Sequence, residues 1–336
     1  MAKPRLTFYC ELGGEDLATL FNRPDIIEGL RSMQASLSLG LLDFSSERAE
    51  VVHRLNQAGI PVIAWLLLPE EDGYWCNLKN APQTLARYQQ IKIWAQENGL
   101  IWDGIGLDIE PDIHEMEQLA QARLRLGWRL VKRLFGRQNL SAARNLYHEL
   151  VEQIQADGYR VDVYQLPIIV DERNARSKLL QRSLCLVDLP ADREVLMLYT
   201  SFLRPRGPGF LWSYGPQAQS IGVGSTGGGV ELGVLDRQPL SWNELARDLR
   251  QAWVFTNDIH IFSLEGCVRQ GYFKRLTSFE WDKPIIEPID LAETVEAWRA
   301  ALQSVLWLSA RPVTIVLSIS AAILVVKRIR NVLSRR

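Results

Sequence analysis

The sequence predicts a closed (β/α)8 barrel of the TIM type, followed by a C-terminal hydrophobic helix that anchors it in a membrane. Three observations lead there. Short apolar runs alternate with longer stretches of helical spacing. Eight such runs can be counted along the chain. Most are almost continuously apolar, as strands covered on both faces are. The length of 336 residues suits one barrel of about 250 residues with additions.

The strand-like runs are residues 6–12, 36–44, 61–68, 104–110, 161–170, 194–202, 220–226 and 259–265. Helical spacing covers 15–33, 46–58, 82–98, 113–156, 171–187 and 241–252. Alternation of this kind implies parallel pairing through right-handed crossovers. An open doubly wound sheet is the rival arrangement. The connection at 113–156 is long enough for two helices, broken near 136–139. Residues 204–219, RPRGPGFLWSYGPQAQ, carry four prolines and glycines in their first six positions. That density predicts a long surface loop bearing Phe210, Trp212 and Tyr214. A last helix is expected over 290–304, with Pro288 near its start. The barrel domain is thus 1–304.

Composition narrows the class. Hydrophobic residues make up 47% and charged residues 23%, which excludes a disordered, collagen-like or disulfide-framework chain. Cys10, Cys76, Cys185 and Cys267 are far apart and read as reduced, buried thiols. His53, His114, His148 and His260 show no metal-ligand spacing, so no metal is expected. The net charge of −1 conceals a division. Residues 311–336 hold six basic and no acidic side chains, leaving 32 basic against 39 acidic in the rest. An acidic body argues against nucleic acid as a partner. The first residues, MAKPRLTFYCELGG, lack the apolar stretch of a secretory signal.

Residues 305–326, VLWLSARPVTIVLSISAAILVV, are just long enough as a helix to cross a hydrocarbon core of ~30 Å. Arg311 and Pro312 interrupt the run. The basic residues of the tail at 327–336 suit lipid headgroups. Together they predict a single-pass membrane protein. A basic tail favours the cytoplasmic side, which would put the barrel outside.

Active sites of such barrels form at the C-terminal strand ends. Those ends carry Glu11, Asp43, Glu70, Glu71, Asp108, Glu110, Asp171, Glu172 and Glu265. Turns and helix N-termini favour acidic residues anyway, which accounts for several of them. The fourth strand is different. Alternation puts Ile105, Leu107 and Ile109 toward the helices, and Gly106, Asp108 and Glu110 toward the interior. No basic residue lies within the eight runs as delimited. Two carboxylates two residues apart on one face repel, so one of them should keep a proton, as a general acid requires.

Residues 103–110, DGIGLDIE, resemble the fourth-strand signature DGxDxDxE of family 18 glycoside hydrolases, the chitinases and their relatives. Asp103, Gly104, Asp108 and Glu110 match, and Gly106 stands where the first inner aspartate would be. Residues 197–200, MLYT, are similar to the family's MxYD, with Thr200 in place of the aspartate. Phe262 stands near the position of the family's sugar-bearing tryptophan. The resemblance implies Glu110 as general acid, with Asp108 and Tyr199 positioning the substrate's N-acetyl group. The acetamido oxygen would act as nucleophile, without any metal or organic cofactor.

Sugars stack on aromatic faces. Tyr74 and Trp75 after the third strand, and Trp212 and Tyr214 after the sixth, are candidate platforms. Together with Phe262, Glu265 and Glu11 at other strand ends, Trp75, Trp212 and Tyr214 are the expected substrate-binding residues. The expected function is hydrolysis of a β-linked glycan with N-acetylated sugars. A catalytically silent glycan-binding barrel is the alternative. A third reading comes from residues 222–229, GVGSTGGG, whose glycines could cradle a phosphorylated small substrate.

Overall fold

The computed structural model describes residues 3–116, 140–229 and 238–311. Its strands are β1 (Arg5–Cys10), β2 (Ser36–Gly40), β3 (Val62–Leu66), β4 (Gly104–Ile109), β5 (Arg160–Gln165), β6 (Arg193–Met197), β7 (Ser220–Gly224) and β8 (Asp258–Phe262). Each pairs in parallel with its neighbour in sequence, and β8 returns to β1, so the sheet closes. The open-sheet alternative is therefore excluded. Every strand falls within or beside a run read from the sequence.

Local chemistry explains most helix limits. The expected helix at 15–33 is two, Gly14–Phe21 and Pro24–Ser32. Pro24 cannot continue a helix but opens one well, because its missing N–H would have no partner in the first turn. Ser46–Gln57 is capped by Ser45, whose side chain accepts from the Arg48 N–H. Trp242–Phe255 starts with a capping box between Ser241 and Glu244. Of the long fourth connection, Leu140–Ala156 is helical; the break expected near 136–139 lies outside the described residues.

The stretch at 204–219 corrects the expectation of a loop. It holds a helix, Gly207–Tyr214, with Pro208 in the first turn. Proline in that turn costs no hydrogen bond. The glycines are there for close packing. A Cβ on Gly209 would lie 2.3 Å from the Leu291 backbone, and one on Gly207 would lie 2.4 Å from the Thr200 carbonyl oxygen.

Side chains divide into two cores. The outer one, between sheet and helices, includes Ile105, Leu107 and Ile109 of β4. The inner one fills the barrel and includes Tyr9, Trp65, Tyr164, Val195 and Met197. Below the inner core is an ionic plug. Three strands begin with arginine: Arg5, Arg160 and Arg193. Arg193 lies 3.1 Å from Asp258 and 3.5 Å from Asp162, and Arg160 lies 2.8 Å from Asp162. Basic residues thus do enter the strands, at the N-terminal end, where they pair with these aspartates rather than with Asp108 or Glu110.

The last described helix, Ile289–Ser309, runs past the expected boundary at 304. It packs on the helices Ile168–Ala175 and Gly207–Tyr214. Arg299 donates to Asp171 at 3.0 Å and lies 3.8 Å over the Tyr214 ring. Leu306 is buried, and Ser309 shares a hydrogen bond with Ser177 at 3.0 Å. The first residues of the apolar run at 305–326 thus belong to a helix packed on the barrel. Among the described residues no helix is long and apolar enough to cross a membrane. The rest of the expected anchor, and the tail at 327–336, lie outside them.

A chain ending after Ser304 should be less stable than one ending after Arg311 by at least about 2 kcal/mol, the scale of one buried leucine. Urea unfolding of the two chains measures this. Equal stability would mean that residues 305–311 add nothing to the barrel.

Candidate functional site at the mouth of the barrel

Strand alternation builds the site from β4. Asp108 points inward near the strand's end, and Glu110 follows just beyond it. Both line a cavity of about 190 Å³ at the C-terminal ends of the strands. Glu11 from the end of β1, Trp75 after β3, Tyr199 after β6 and Phe262 of β8 line the same cavity. Six of the nine site residues expected from sequence therefore come together.

The other three do not line it. Trp212 packs against Phe255, ring centroids 5.0 Å apart, on the outer layer. Tyr214 is buried, donating to Asp171 beneath Arg299. Both follow from the helix at 207–214, which turns these rings into packing residues. Glu265 is buried behind the wall in the helix Leu264–Arg269, where its Oε1 accepts from the Glu11 N–H at 3.4 Å. It supports Glu11. Tyr74 also acts on Glu11, donating its hydroxyl to Oε1.

Sequence reasoning missed Tyr9, Trp65, Tyr164 and Met197, which line the cavity's inner part. The signal was present. Tyr9 is two residues before Glu11, and Met197 two before Tyr199, so each shares the inward face of its strand. Gly106 is explained by the same layer. A Cβ there would lie 2.4 Å from the Tyr164 hydroxyl. That hydroxyl shares a hydrogen bond of 2.6 Å with Ser38. Tyr164 thus fills the space of the motif's first inner aspartate. Thr200 departs for another reason: it is buried and donates to Asp248 on the helix Trp242–Phe255, turned from the cavity.

The electrostatics follow from burial. Asp108 is 3% exposed, and its Oδ1 has no hydrogen-bond partner among the described residues. Dehydration, then the charges of Glu110 and Glu11, hold its pKa well above the usual carboxylate range. The Trp65 indole N–H acts the other way, favouring the ionised form, although its geometry falls short of a hydrogen bond. Burial therefore favours the protonated form of Asp108. Tyr199 is held protonated by burial and then by Asp108, Glu110 and Glu11.

The glycine-rich segment after β7 lies beside this cluster. Gly227, Gly228 and Gly229 have positive φ. A Cβ on Gly228 would lie 2.5 Å from Glu265 Oε1, and one on Gly229 would lie 2.6 Å from Glu11 Oε2. Two carboxylates against the loop oppose an anion there. The loop's continuation, 230–237, lies outside the described residues. No group of three or more His, Cys, Asp or Glu able to hold a metal ion occurs among the described residues.

Fold and site together define a TIM-type barrel with an acidic, aromatic-lined cavity at the C-terminal ends of its strands. No family model matches the chain, and no curated protein matches it. Solved structures similar to it include an aldo-keto reductase complexed with NADPH, at 11% identity and TM-score 0.43, covering 86% of this chain and 83% of that one. ScGas2 in complex with a small compound is similar at 13% identity and TM-score 0.42, covering 87% and 66%. An L-ribulose 3-epimerase is similar at 12% identity and TM-score 0.41, covering 95% and 98%. The barrel assignment itself rests on the chain's own strand pairing.

The raised pKa of Asp108 has a consequence for stability. A carboxyl that holds its proton more tightly folded than unfolded stabilises the fold at low pH. That contribution is lost as pH rises from about 4 toward the folded-state value. Asp108→Asn should therefore be more stable than the parent at neutral pH, with a difference that shrinks toward pH 4. Chemical denaturation at several pH values tests this; a pH-independent difference would show that Asp108 is not dehydrated in the folded protein.

Proposed function

We propose that the protein is a glycoside hydrolase acting on β-linked glycans of N-acetylated sugars, a relative of family 18. The observation that carries this reading is the meeting of Asp108, Glu110 and Tyr199 in one aromatic-walled cavity at the catalytic end of the barrel. The proton that burial favours on Asp108 passes to Glu110, half-buried at the rim, which gives it to the glycosidic oxygen of the departing sugar and leaves Asp108 ionised. The acetamido oxygen attacks the anomeric carbon as that bond breaks. The bare Oδ1 of Asp108 accepts from the acetamido N–H, and the Tyr199 hydroxyl donates to its oxygen. Water then opens the cyclic intermediate, returning a proton to Glu110. The rings of Trp65, Trp75 and Phe262 supply apolar faces for the sugar.

A silent glycan-binding barrel is the second reading. Two observations favour it: Tyr164 fills the place beside Gly106, and Thr200 is turned toward Asp248. A phosphorylated substrate is disfavoured by Glu11 and Glu265 beside Gly228 and Gly229.

Glu110→Gln should lower hydrolysis of an N-acetylglucosamine oligomer by about 10²–10⁴-fold, since an amide delivers no proton. Its affinity for the oligomer should stay within about tenfold of the parent's. Parent-like turnover in the variant removes Glu110 as the acid. Binding without turnover in the parent selects the silent barrel.

We further propose membrane attachment through the C-terminal segment. With Leu306 held on the barrel and Arg311 and Pro312 interrupting the run, the remaining apolar residues 313–326 would span roughly 21 Å as a helix, short of a ~30 Å core. Its apolar character and the basic residues after it support attachment. Full-length protein should stay in the membrane pellet through alkaline carbonate and high salt, whereas a chain ending after Arg311 should be recovered in the supernatant. Release of the full-length chain by salt alone would reduce the attachment to surface electrostatics.

A further inference from the structure

The last described helix, Ile289–Ser309, carries two apolar faces. One holds Ala292, Val295 and Leu306, buried against the barrel with Arg299 among them. The other is open: Trp298 is 49% exposed, Val305 57% and Leu308 47%. Ala301 is exposed between them, and the spacing 298, 301, 305, 308 puts all four on one stripe of a helix. From 297 to 310 the only charged side chain is Arg299, which is buried on Asp171. The acidic residues Asp290, Glu293 and Glu296 all lie nearer the helix start. A surface helix that is apolar on its outer side as well has a further contact to make.

The helix runs along the barrel away from the cavity. Its start lies by the C-terminal strand ends, where Leu291 meets Gly209, and Gly207 lies against Thr200 just after β6. Its end lies by the opposite rim. Arg311 donates to the Ala175 carbonyl at 3.4 Å, and Ser309 shares its bond with Ser177. These partners close the helix Ile168–Ala175. There Arg173 donates to Glu194, near the start of β6, at 3.0 Å, and Asn174 donates to Gln217, just before β7, at 3.2 Å. Basic side chains gather at this far end. Arg176 and Lys178 are exposed on either side of Ser177, and Arg311 lies 4.5 Å over the exposed Trp307 ring. From there the sequence passes into the apolar residues 313–326 and the basic tail at 327–336.

Apolar side chains, a tryptophan beside an arginine and a basic surround match the chemistry of a bilayer's interface. We propose that Trp298, Ala301, Val305 and Leu308, with Trp307, lie in the headgroup layer of an anionic bilayer and hold the barrel on its flank, tilted so that the cavity end points away from the membrane. The inference rests on the reading of the C-terminal segment as a membrane attachment, and it adds a second contact that fixes orientation. Arg176, Lys178 and Arg311 meet the lipid phosphates, while Asp290, Glu293 and Glu296 stay in water toward the cavity end. The cavity then opens to the solution. Its ligand arrives from the aqueous side rather than from the headgroups of the same bilayer.

Fluorescence quenching of the full-length protein on vesicles of phosphatidylcholine and phosphatidylglycerol tests this. The four native cysteines are buried, so an environment-sensitive fluorophore goes to one introduced thiol. The labelled variants are Val305→Cys, Leu308→Cys and Glu71→Cys, the last at an exposed position beyond β3 at the cavity end. Lipid carrying a nitroxide at the headgroup should quench the labels at 305 and 308 at least about threefold more than the label at 71, because an interfacial face is buried only about 5–10 Å deep. Quenching of none of the three while the protein stays on the vesicles overturns the lipid contact and leaves the attachment standing. Quenching at 71 equal to or stronger than at 305 and 308 overturns the orientation. Failure of the protein to bind the vesicles removes the attachment reading and this inference with it. A blue shift at 305 and 308 that needs no vesicles and grows with protein concentration assigns the stripe to a second copy of the chain, and also overturns the proposal.

Discussion

Closing eight parallel strands creates an interior that side chains must fill, and in this protein large rings fill it, facing glycines on neighbouring strands. Gly106 on β4 makes room for Tyr164 on β5. Gly40 on β2 lies against Trp65 of β3, where a Cβ would approach the ring to 3.3 Å. Gly222 on β7 lies 3.4 Å, by the same measure, from the Tyr199 ring. Each ring leans over the strand beside it; a methyl group would clash with Tyr164 at Gly106, press on Trp65 at Gly40 and only touch Tyr199 at Gly222. Interiors packed to the density of organic crystals have no slack for such a change. The rings and the glycines are one solution.

That solution sets the electrostatics of the two ends. Beneath the rings, Arg160 and Arg193 balance Asp162 and Asp258, and Arg5 approaches Asp258 from the surface. The buried His260 sits in this lower part, its pKa pushed down to about 3 by burial, so it is neutral. Above the rings, none of the described lining residues is basic. Asp108 stands where the aromatic layer excludes water but Glu110 and Glu11 keep a negative field. Its preference for the protonated form follows from where the rings end. The same boundary leaves Glu110 at the rim, within reach of solvent and of a ligand.

The differences between this chain and the family 18 signature that residues 103–110 and 197–200 resemble have separate physical causes. The glycine at 106 belongs to the inner packing: an aspartate there would have to displace Tyr164. The threonine at 200 belongs to the outer packing, where it is tied to Asp248 and lies against Gly207, close to the helix that the final helix also grips through Leu291. Neither change disturbs Asp108, Glu110 or Tyr199, whose places depend on strand alternation. The cavity therefore has carboxylates in its outer part and rings in its depth.

The strands and the inward face of β4 were legible because they depend on short-range pattern. Apolar runs, a period of two and the residues 103–110 sufficed to place Asp108 and Glu110 on one face. What misled was context. Four prolines and glycines at 205–209 read as a loop, yet Pro208 opens a helix whose glycines let Thr200 and Leu291 approach. Trp212 and Tyr214 read as sugar platforms, yet that helix commits them to packing. Val305 onward read as the start of a lipid span, yet Leu306 is buried on the barrel. The chain alone determined which residues alternate inward at each strand, since that needs only neighbours in sequence. Which of those residues meet, which rings line the cavity and which carboxylate burial drives toward its protonated form were decided by closure of the sheet, because only then do strands far apart in the chain exclude water from the same space.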